Sequence, residues 1–456
     1  MPDLFATTEL PGLDGEIRTA EPDLAAAAQD WGRLVQARPQ AVVRPATPAD
    51  VAAVVRFAAD RGIPVAARGS GHSPFGQSQA EGGIVLDMTS LARVYPGAGD
   101  EVVVDAGARW HRVLRATLPR GLTPPVLTDY LELTVGGTLA VGGIGGASHE
   151  HGAQTDTVTA LDVVTGTGEL VRCSAEREPE LFDAVRAGLG QCGVITRATI
   201  RLRPARQRTR RWKLSYATLA GFLADQRRVV GDGRFDYVEG QLLPGEPTGT
   251  WRYVLDAASF YSLPDAPDEQ ALLGDLSFDP DTAEAEDTTY HEFLDRMADG
   301  EAELRAEGSW FHPHPWVTVF LPDGEVETVV AEALAATTPD DLGASGLVLL
   351  YPVRRDRLAT PLLRVPSTEL VWLFALLRTA RPYDPAGPAR MVAGNTELAE
   401  SVRALGGTVY PAGMLPMSPP QWEDHFGEAW KTFESARQRH DPRGVLAPGQ
   451  GVFGSR

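Results

Sequence analysis

The first candidate for a chemically active residue is a histidine inside a glycine- and serine-rich segment. The segment reads ARGSGHSPFGQ over residues 67–77, and His72 lies between Gly71 and Ser73. It directly follows the apolar run IPVAA, which is typical of a short buried strand. Glycine permits positive φ and lets the backbone come close to a bound molecule. The pattern therefore predicts a loop that closely approaches a ligand, with His72 inside it.

An aspartate and seven glycines mark a second segment, TDYLELTVGGTLAVGGIGGASHEHG, over residues 128–152. Glycines at this density predict turns that wrap an extended ligand, and their backbone N–H groups could hold a pyrophosphate. Apolar residues between the glycines would bury the segment, which argues against a flexible linker. The position of Asp129 ahead of the glycines is compatible with a helix- or turn-capping aspartate. Two separate glycine-rich segments predict one large cofactor held by two subdomains.

Other patterns in the chain suggest different chemistry and have weaker support. Neither glycine-rich segment is a P-loop, and no strand–loop–helix with a downstream acidic residue supports a nicotinamide site. His149 and His151 form an HxH pattern without a third ligand of matching character nearby, so we predict no metal site. Cys173 and Cys192 predict two buried free thiols rather than a disulfide framework.

Local sequence signals, such as helix-capping residues, predict the helix and the strands that position residues 67–77. Thr47 is a helix N-cap, Pro48 occupies the first helical position, and Gly62 ends the helix. A further buried strand is predicted to end at Asp87, and residues 159–174 predict a hairpin. A helix, a strand and the glycine-rich loop in succession therefore carry His72.

The rest of the chain alternates strands and helices and predicts an α+β domain. The apolar stretches GLVLLYPV and ELVWLFALLR predict strands, and residues 419–453 predict a helix followed by an extended tail. The acidic stretch DPDTAEAEDTT at residues 279–289 is predicted to be a loop. The basic stretch RPARQRTRRWK at residues 203–213 is predicted to be a solvated linker or strand edge rather than a binding site.

Composition limits the classes of partner. The chain has 456 residues, which suggests two or three domains, and a formal net charge of −19. That charge argues against nucleic acid and an anionic membrane surface as partners. No apolar run approaches the roughly 20 residues of a membrane span, and the first residues lack the pattern of a secretory signal. We therefore expect a cytoplasmic protein.

Taken together, these stretches resemble the FAD-binding domain of the vanillyl-alcohol-oxidase (PCMH-type) flavoproteins, and within that superfamily they are most similar to cytokinin dehydrogenases. The resemblance also covers FDYVEGQL, HPHPWVTVFLP, TELVWLFALLR and the C-terminal APGQGVF, so it spans residues 40–453. It implies an α+β fold with two domains. One is an FAD-binding domain built from residues 1–206 and 415–456, and the other is a substrate-binding cap domain at residues 207–414.

The resemblance also implies which residues touch FAD. His72 occupies the position of the histidine that bonds covalently to the flavin. Residues 128–152 lack the cysteine that gives some relatives a second link, so attachment through one histidine is implied. Further FAD contacts are implied for Ala67, Arg68, Gly69, Ser70, Gly71, Ser73, Gln77, Asp129, Thr134, Ala140, Ile144, Ile195, Tyr410 and Gln450.

Asp129 matches the family's catalytic aspartate, whose implied role is to accept a proton or hydrogen bond from the substrate amine while hydride leaves the adjacent carbon. Apolar neighbours are expected to bury it and raise its pKa toward neutrality. Two positions depart from the family pattern: Asp256 stands where a glutamate is expected, and Arg354 where an asparagine is expected. Both are expected to contact substrate, and Arg354 would suit a carboxylate or phosphate.

Three functions remain open from the sequence. The first is an FAD-dependent oxidoreductase that converts an N6-isoprenoid adenine through an imine to adenine and an aldehyde, with oxygen or a quinone as electron acceptor. The second applies the same flavin site to an alcohol or a secondary-metabolite intermediate, which Asp256 and Arg354 would favour. The third is a flavoprotein that binds or carries without turnover, and the carboxylate of Asp129 argues against it.

Overall fold

The computed structural model describes residues 12–245, 249–343, 345–413 and 416–454. Its three main sheets have four, five and eight strands. Within the described ranges, no helix is both long and apolar enough to span a membrane.

The four-stranded sheet carries the strand that leads into the His72 loop. Its strands, in spatial order, are Glu16–Arg18, Ala41–Arg44, Ile84–Asp87 and Val65–Arg68. The last three run parallel because the helix Pro48–Arg61 returns the chain along the sheet. Thr47 and Asp50 form a capping box at the start of this helix, and Gly62 ends it with φ at 65°. The predicted helix, strand and loop are confirmed.

The five-stranded sheet is antiparallel and includes the predicted hairpin. Its strands, in spatial order, are Val94–Pro96, Glu101–Asp105, Val194–Arg201, Val158–Val164 and Leu170–Ser174. A two-stranded ribbon pairs Leu122–Thr123 with Arg203–Pro204. Besides Pro48–Arg61, the helices up to residue 206 are Glu21–Ala27, Trp110–Thr117, Val135–Leu139, Ser148–His151 and Pro179–Val185. Cys173 and Cys192 are buried free thiols, as predicted.

The eight-stranded sheet is antiparallel throughout. Its strands, in spatial order, are Glu284–Thr289, Arg208–Tyr216, Trp251–Tyr261, Tyr237–Pro244, Leu347–Arg354, Leu370–Leu377, Val317–Pro322 and Thr408–Val409. Because side chains alternate along a strand, one face packs its apolar residues against three helices, Leu219–Asp232, Val326–Ala335 and Gly387–Ala404. The opposite face, called here the cavity face, is left for a ligand.

The prediction of a loop at residues 279–289 is wrong, because Glu284–Thr289 is an edge strand of this sheet. It pairs with the basic stretch at residues 208–213. Arg210 bonds to Asp287, and Arg211 bonds to Glu286. Opposite charges on facing strands stabilise the pairing. The acidic and basic stretches are therefore partners, a long-range relation that neither stretch reveals alone.

The remaining helices connect the strands of the large sheet and close the chain. They are Glu269–Leu273, Tyr290–Leu294, Met297–Glu307, Pro339–Leu342, Pro419–Phe426 and Trp430–His440. Short 3₁₀ turns lie at Met88–Ser90, Leu118–Arg120, Gln154–Thr157, Pro280–Thr282, Ser309–Phe311, Arg355–Arg357, Gly427–Ala429 and Pro448–Gln450. The single helix predicted before the C-terminal tail is thus two, since Gly427, with φ at 50°, interrupts it.

The C-terminal segment returns to the first sheet. The Val65 N–H donates to the Val445 carbonyl at 2.7 Å, and the Ala447 N–H donates to the Val65 carbonyl at 2.8 Å. The buried carboxylate of Asp441 accepts hydrogen bonds from the Val445 and Leu446 N–H groups, at 3.1 and 3.0 Å. These bonds hold the end of the chain against the strand that leads to His72.

Candidate functional site

A cavity of about 680 Å³ lies between the two glycine-rich segments and the cavity face of the eight-stranded sheet. All fifteen residues predicted to touch a cofactor line it: Ala67, Arg68, Gly69, Ser70, Gly71, His72, Ser73, Gln77, Asp129, Thr134, Ala140, Ile144, Ile195, Tyr410 and Gln450. Positions far apart in the chain, such as Gln77 and Gln450, therefore meet around one space.

His72 lies deep in the molecule and faces the cavity. Its ring stacks on Trp31 with centroids 4.2 Å apart, and the other face of Trp31 stacks on His314 at 3.7 Å. Tyr130 lies 4.9 Å away between ring centroids. Burial, followed by the charges of His314 and Arg305, lowers the pKa of His72 to about 3. The imidazole is therefore neutral at physiological pH, the form that can act as a nucleophile.

The loop around His72 is held by a residue that the sequence analysis missed. The buried carboxylate of Asp30 accepts hydrogen bonds from the Gly76 N–H at 2.5 Å and the Ser73 hydroxyl at 3.3 Å. Gly71 has φ at 68°, and a side chain there would meet the guanidinium of Arg68. The positive φ favours glycine at this position, and its small size lets the Arg68 guanidinium lie close to the loop.

The second glycine-rich segment contributes less to the cavity than its sequence suggests. Gly136 and Gly137, in the helix Val135–Leu139, line it. Gly143 instead donates its N–H to the Tyr410 hydroxyl at 2.9 Å, and a Cβ on Gly146 would lie 2.3 Å from the ring of Tyr237. The later glycines therefore serve close packing between the two halves of the molecule.

Asp129 is the centre of a buried polar network that comes from three separate stretches of chain. The Tyr237 hydroxyl donates to Asp129 Oδ1 at 2.8 Å. Arg296 Nη2 donates to the same oxygen and to the Tyr237 hydroxyl oxygen. The Glu239 carboxyl group hydrogen-bonds to Asp129 and is itself 2% exposed. The turn-capping alternative for Asp129 receives no support from these contacts.

The direction of the Asp129 pKa differs from the prediction. Burial alone raises this pKa, but the charge of Arg296 and hydrogen bonds from Glu239, Tyr237 and Arg296 outweigh it, so the pKa lies below its ordinary value. Burial and then the Asp129 charge raise the pKa of Glu239 well above its ordinary value. The network therefore holds one ionised carboxylate, Asp129, beside one protonated carboxyl group, Glu239. The expectation of an apolar setting for Asp129 was wrong because distant strands supply polar groups that its own segment does not contain.

The cavity face of the large sheet supplies residues that were not predicted. Strand register places Lys213 and Glu239 on either side of Asp256, so their side chains share one face. Gln241 and Leu349 form the next cross-strand pair. The lining from this side and the adjoining helix comprises Arg211, Lys213, Glu239, Gln241, Arg296, Met297, Trp316, Thr318, Leu347, Leu349, Tyr351, Leu373, Ala375 and Leu377. The lining thus carries charges at one end and apolar side chains elsewhere.

The two positions predicted to contact substrate do not line the cavity. Asp256 is 1% exposed, and its carboxylate accepts two hydrogen bonds from Arg211, at 2.8 and 2.6 Å. Arg354 lies at the surface, where it pairs with Asp356 at 2.9 Å. Asp256 therefore positions Arg211, which does line the cavity. Arg354 sits at the end of its strand and turns away from the site.

His149 and His151 do not come together as a ligand pair. His149 bonds through its two ring nitrogens to the carbonyl oxygens of Gly146 and Phe235, at 2.9 and 3.0 Å, while His151 contacts Arg203. Across the described ranges, no group of three or more His, Cys, Asp or Glu side chains could hold a metal ion.

The residues around the cavity fit FAD. The glycine-rich loop brings backbone to the cavity surface, and Arg68 Nη1 is buried there without a hydrogen-bond partner in the described structure, which leaves a donor for a bound group. Tyr410 and Gln450, which come much later in the chain, also line the cavity. The volume, the open backbone and the unpaired donor are what a large dinucleotide requires.

Comparisons with known proteins agree with this site. A family model described as "FAD binding domain" matches residues 39–174, and one described as "Cytokinin dehydrogenase 1, FAD and cytokinin binding" matches residues 246–453. The "Uncharacterized oxidoreductase ORF5 in fasciation locus" of Rhodococcoides fascians is 45% identical over 437 residues, covering 96% of this chain and 99% of that protein. Cytokinin dehydrogenase 6 of Oryza sativa subsp. japonica is 37% identical over 509 residues, covering 99% and 93%.

The two relatives match nearly the whole chain, and their sequence identities are high enough to place this chain in the same family. The predicted fold class, a two-domain α+β flavoprotein of the vanillyl-alcohol-oxidase type, is confirmed. FAD is the cofactor that the matched families share. The chain belongs to the cytokinin dehydrogenase family and is an FAD-dependent oxidoreductase.

Proposed function

We propose that this protein oxidises a secondary allylic amine of the N6-isoprenoid adenine type. The substrate loses a hydride from the carbon next to nitrogen and a proton from the nitrogen, which gives an imine. Water then hydrolyses the imine to adenine and an aldehyde. The observation that carries this proposal is the ionised carboxylate of Asp129 on the cavity wall, held by Tyr237 and Arg296.

FAD, when bound, supplies the hydride acceptor. The chain's own residues bind the substrate, hold it and move one proton. Asp129 accepts the amine proton, because it is the ionised member of the carboxyl pair. Leu349, Leu373 and Ala375 offer an apolar surface to an isoprenoid group and exclude water from it. We propose oxygen or a quinone as the final electron acceptor.

We further propose that FAD is attached covalently through His72 alone. A neutral imidazole at the cavity wall, oriented by stacking on Trp31, supports this attachment. The absence of cysteine from residues 128–152 supports a single link.

The domain division implied by the sequence remains a proposal: residues 1–206 and 415–456 form the FAD-binding domain, and residues 207–414 form the cap. The bonds between Val65 and the segment Val445–Ala447 support it, as does the cavity position of Gln450. Deleting residues 440–456 is expected to abolish flavin binding and to lower the unfolding temperature. A truncated protein that retains full flavin would refute the arrangement.

One observation favours the second function, oxidation of a different small molecule at the same site. Lys213 lines the cavity, and no carboxylate among the described residues lies within ion-pairing distance of it. A free cation there would suit a substrate that carries an anionic group. Lys213 therefore takes the anion-binding role that the sequence analysis expected of Arg354, which lies outside the cavity.

Anaerobic mixing with isopentenyladenine, followed by flavin absorbance, tests the proposed reaction. The proposal expects the yellow colour to bleach and adenine to appear as solvent water hydrolyses the imine. Bleaching only by an alcohol or an anionic metabolite would select the second function. No bleaching by any compound of these classes would favour a binding protein.

A further inference from the structure

Arg296 is a buried cation that neither the motifs nor the family match assigns to the site. It lies between the helices Tyr290–Leu294 and Met297–Glu307. Its guanidinium packs over the rings of Phe293 and Tyr237, at 4.6 and 4.9 Å, and Nη1 donates to the Phe293 carbonyl at 3.1 Å. The side chain is therefore fixed before any substrate binds.

Beside Arg296 lie two carboxyl groups, those of Asp129 and Glu239. Some other group must decide which of the two is ionised and which keeps the proton. Asp129 and Glu239 are in contact on the cavity wall, and two carboxylates this close cannot both ionise at ordinary pH. If the pair were otherwise equal, the single proton would be shared and neither group would be a reliable base. Arg296 breaks the equality, because it bonds to Asp129 and not to Glu239 in the described contacts.

We propose that Arg296 is a positioning residue that selects Asp129, rather than Glu239, as the ionised carboxylate of the pair. Tyr237 assists it by donating to the same oxygen, Oδ1. Because both bonds end on Oδ1, the carboxylate keeps Oδ2 for other partners. The inference rests on the proposed function, in which Asp129 accepts the substrate proton.

Other charged or titratable groups face the pair, and none replaces Arg296. The Arg211 guanidinium is bonded to Asp256 and Glu286, so its charge is already compensated. The remaining facing groups are Lys213, Tyr130, Tyr351 and Asp256. The tyrosines are neutral because burial raises their pKa values. Lys213 has no bond to either carboxyl group among the described contacts.

The test is the pH dependence of flavin reduction in Arg296→Gln and Arg296→Lys. Glutamine removes the cation, so the pKa of Asp129 must rise. Since Asp129 works as an ionised base, the acidic limb of the rate profile should move to higher pH by about 1 to 3 units, the usual effect of an arginine on a neighbouring aspartate. Lysine keeps the charge and should leave the limb within about one unit of its wild-type position.

Arg378→Gln is the matched control, since Arg378 is also a buried arginine of this half of the chain but bonds to Met391 and Asn395 outside the cavity. The acidic limb of the Arg378→Gln rate profile should stay at the same pH as in wild type. Infrared titration gives a readout without turnover: Arg296→Gln should gain a second protonated-carboxyl band, in a pH range where the wild-type pair contributes only that of Glu239, and the added change Asp129→Asn should remove it.

The inference would be overturned if the acidic limb of the Arg296→Gln rate profile coincided with that of wild type. It would also be overturned if the limb of Arg296→Lys moved as far as that of Arg296→Gln. If Arg296→Gln does not fold, the lysine variant and its infrared titration decide alone. Failure of the proposed function looks different: wild type would then not be bleached by any secondary allylic amine, while the infrared titration would still report on Arg296.

Discussion

The two walls of the cavity differ in how the chain builds them. The wall around His72 comes mainly from two continuous segments, residues 67–77 and 128–152, whose glycines and histidine are visible as motifs. The wall on the cavity face of the eight-stranded sheet comes from single residues on strands far apart in sequence, such as Lys213, Glu239 and Leu373. The first wall suits a cofactor common to a family, and the second can vary with the substrate.

The same contrast appears in the electrostatics. The His72 side holds a neutral imidazole and the guanidinium of Arg68, whose Nη1 has no hydrogen-bond partner in the described structure. The sheet side and its adjoining helix hold charges that compensate one another in pairs: Asp256 with Arg211, and Asp129 with Arg296. Substitutions on the first wall should therefore act on cofactor retention, while those on the second should act on stability and the chemical step.

The largest expected effect is on the first wall. His72→Ala should abolish covalent attachment, so acid precipitation should leave the flavin in the supernatant, whereas the wild-type pellet should stay yellow. The reason is that no other side chain on this loop offers a neutral nucleophilic nitrogen. Wild-type flavin that washes away freely would refute the covalent claim, and His314→Ala serves as a control for loss of a nearby buried imidazole.

Asp256→Ala should destabilise the protein by about 3 kcal/mol, the lower end of the range for breaking a buried ion pair, because it leaves the guanidinium of Arg211 with only the exposed carboxylate of Glu286. Chemical denaturation of the flavin-loaded protein measures this. The paired change of Asp256 and Arg211 to uncharged residues should recover part of the loss. A single variant as stable as wild type would show that the pair is not a structural support of the sheet wall.

Arg354→Ala should have the smallest effect, with KM and the rate of flavin reduction both unchanged within error. Its only described salt bridge is with Asp356 at the surface, and exposed pairs contribute about 0–1 kcal/mol. Steady-state kinetics with any reducing substrate provides the check. A rise in KM would restore Arg354 to the substrate site and would contradict its place outside the cavity.

The sequence predicted the first wall well because its information is local. Gly71 must adopt positive φ beside Arg68, and such a constraint appears as a glycine in the motif itself. Even there, the support from Asp30 was missed, since nothing near Asp30 marks it as the acceptor for the Gly76 N–H. The helix Pro48–Arg61 and the strands Val65–Arg68 and Leu347–Arg354 were also predicted, because capping and periodicity are local signals.

The second wall was predicted poorly because strand register decides it. The alternation in FDYVEGQL places Tyr237, Glu239 and Gln241 on one face, but nothing in that stretch says the face meets Asp129. Asp256 and Arg354 were assigned by resemblance to aligned positions. The structure shows that a neighbouring arginine covers the first and that the second lies past the cavity. The acidic edge strand at residues 284–289 was missed for the same reason.

The central claim is that Asp129 accepts the substrate proton, and anaerobic rapid mixing of Asp129→Asn with a bleaching substrate tests it most directly. Asparagine keeps the shape of the side chain but cannot accept the proton, so flavin reduction should slow by about 10²- to 10⁴-fold while the variant still holds FAD. Measuring the rate across substrate concentrations separates this loss from a change in binding. Reduction at the wild-type rate would contradict the account and remove Asp129 from the mechanism.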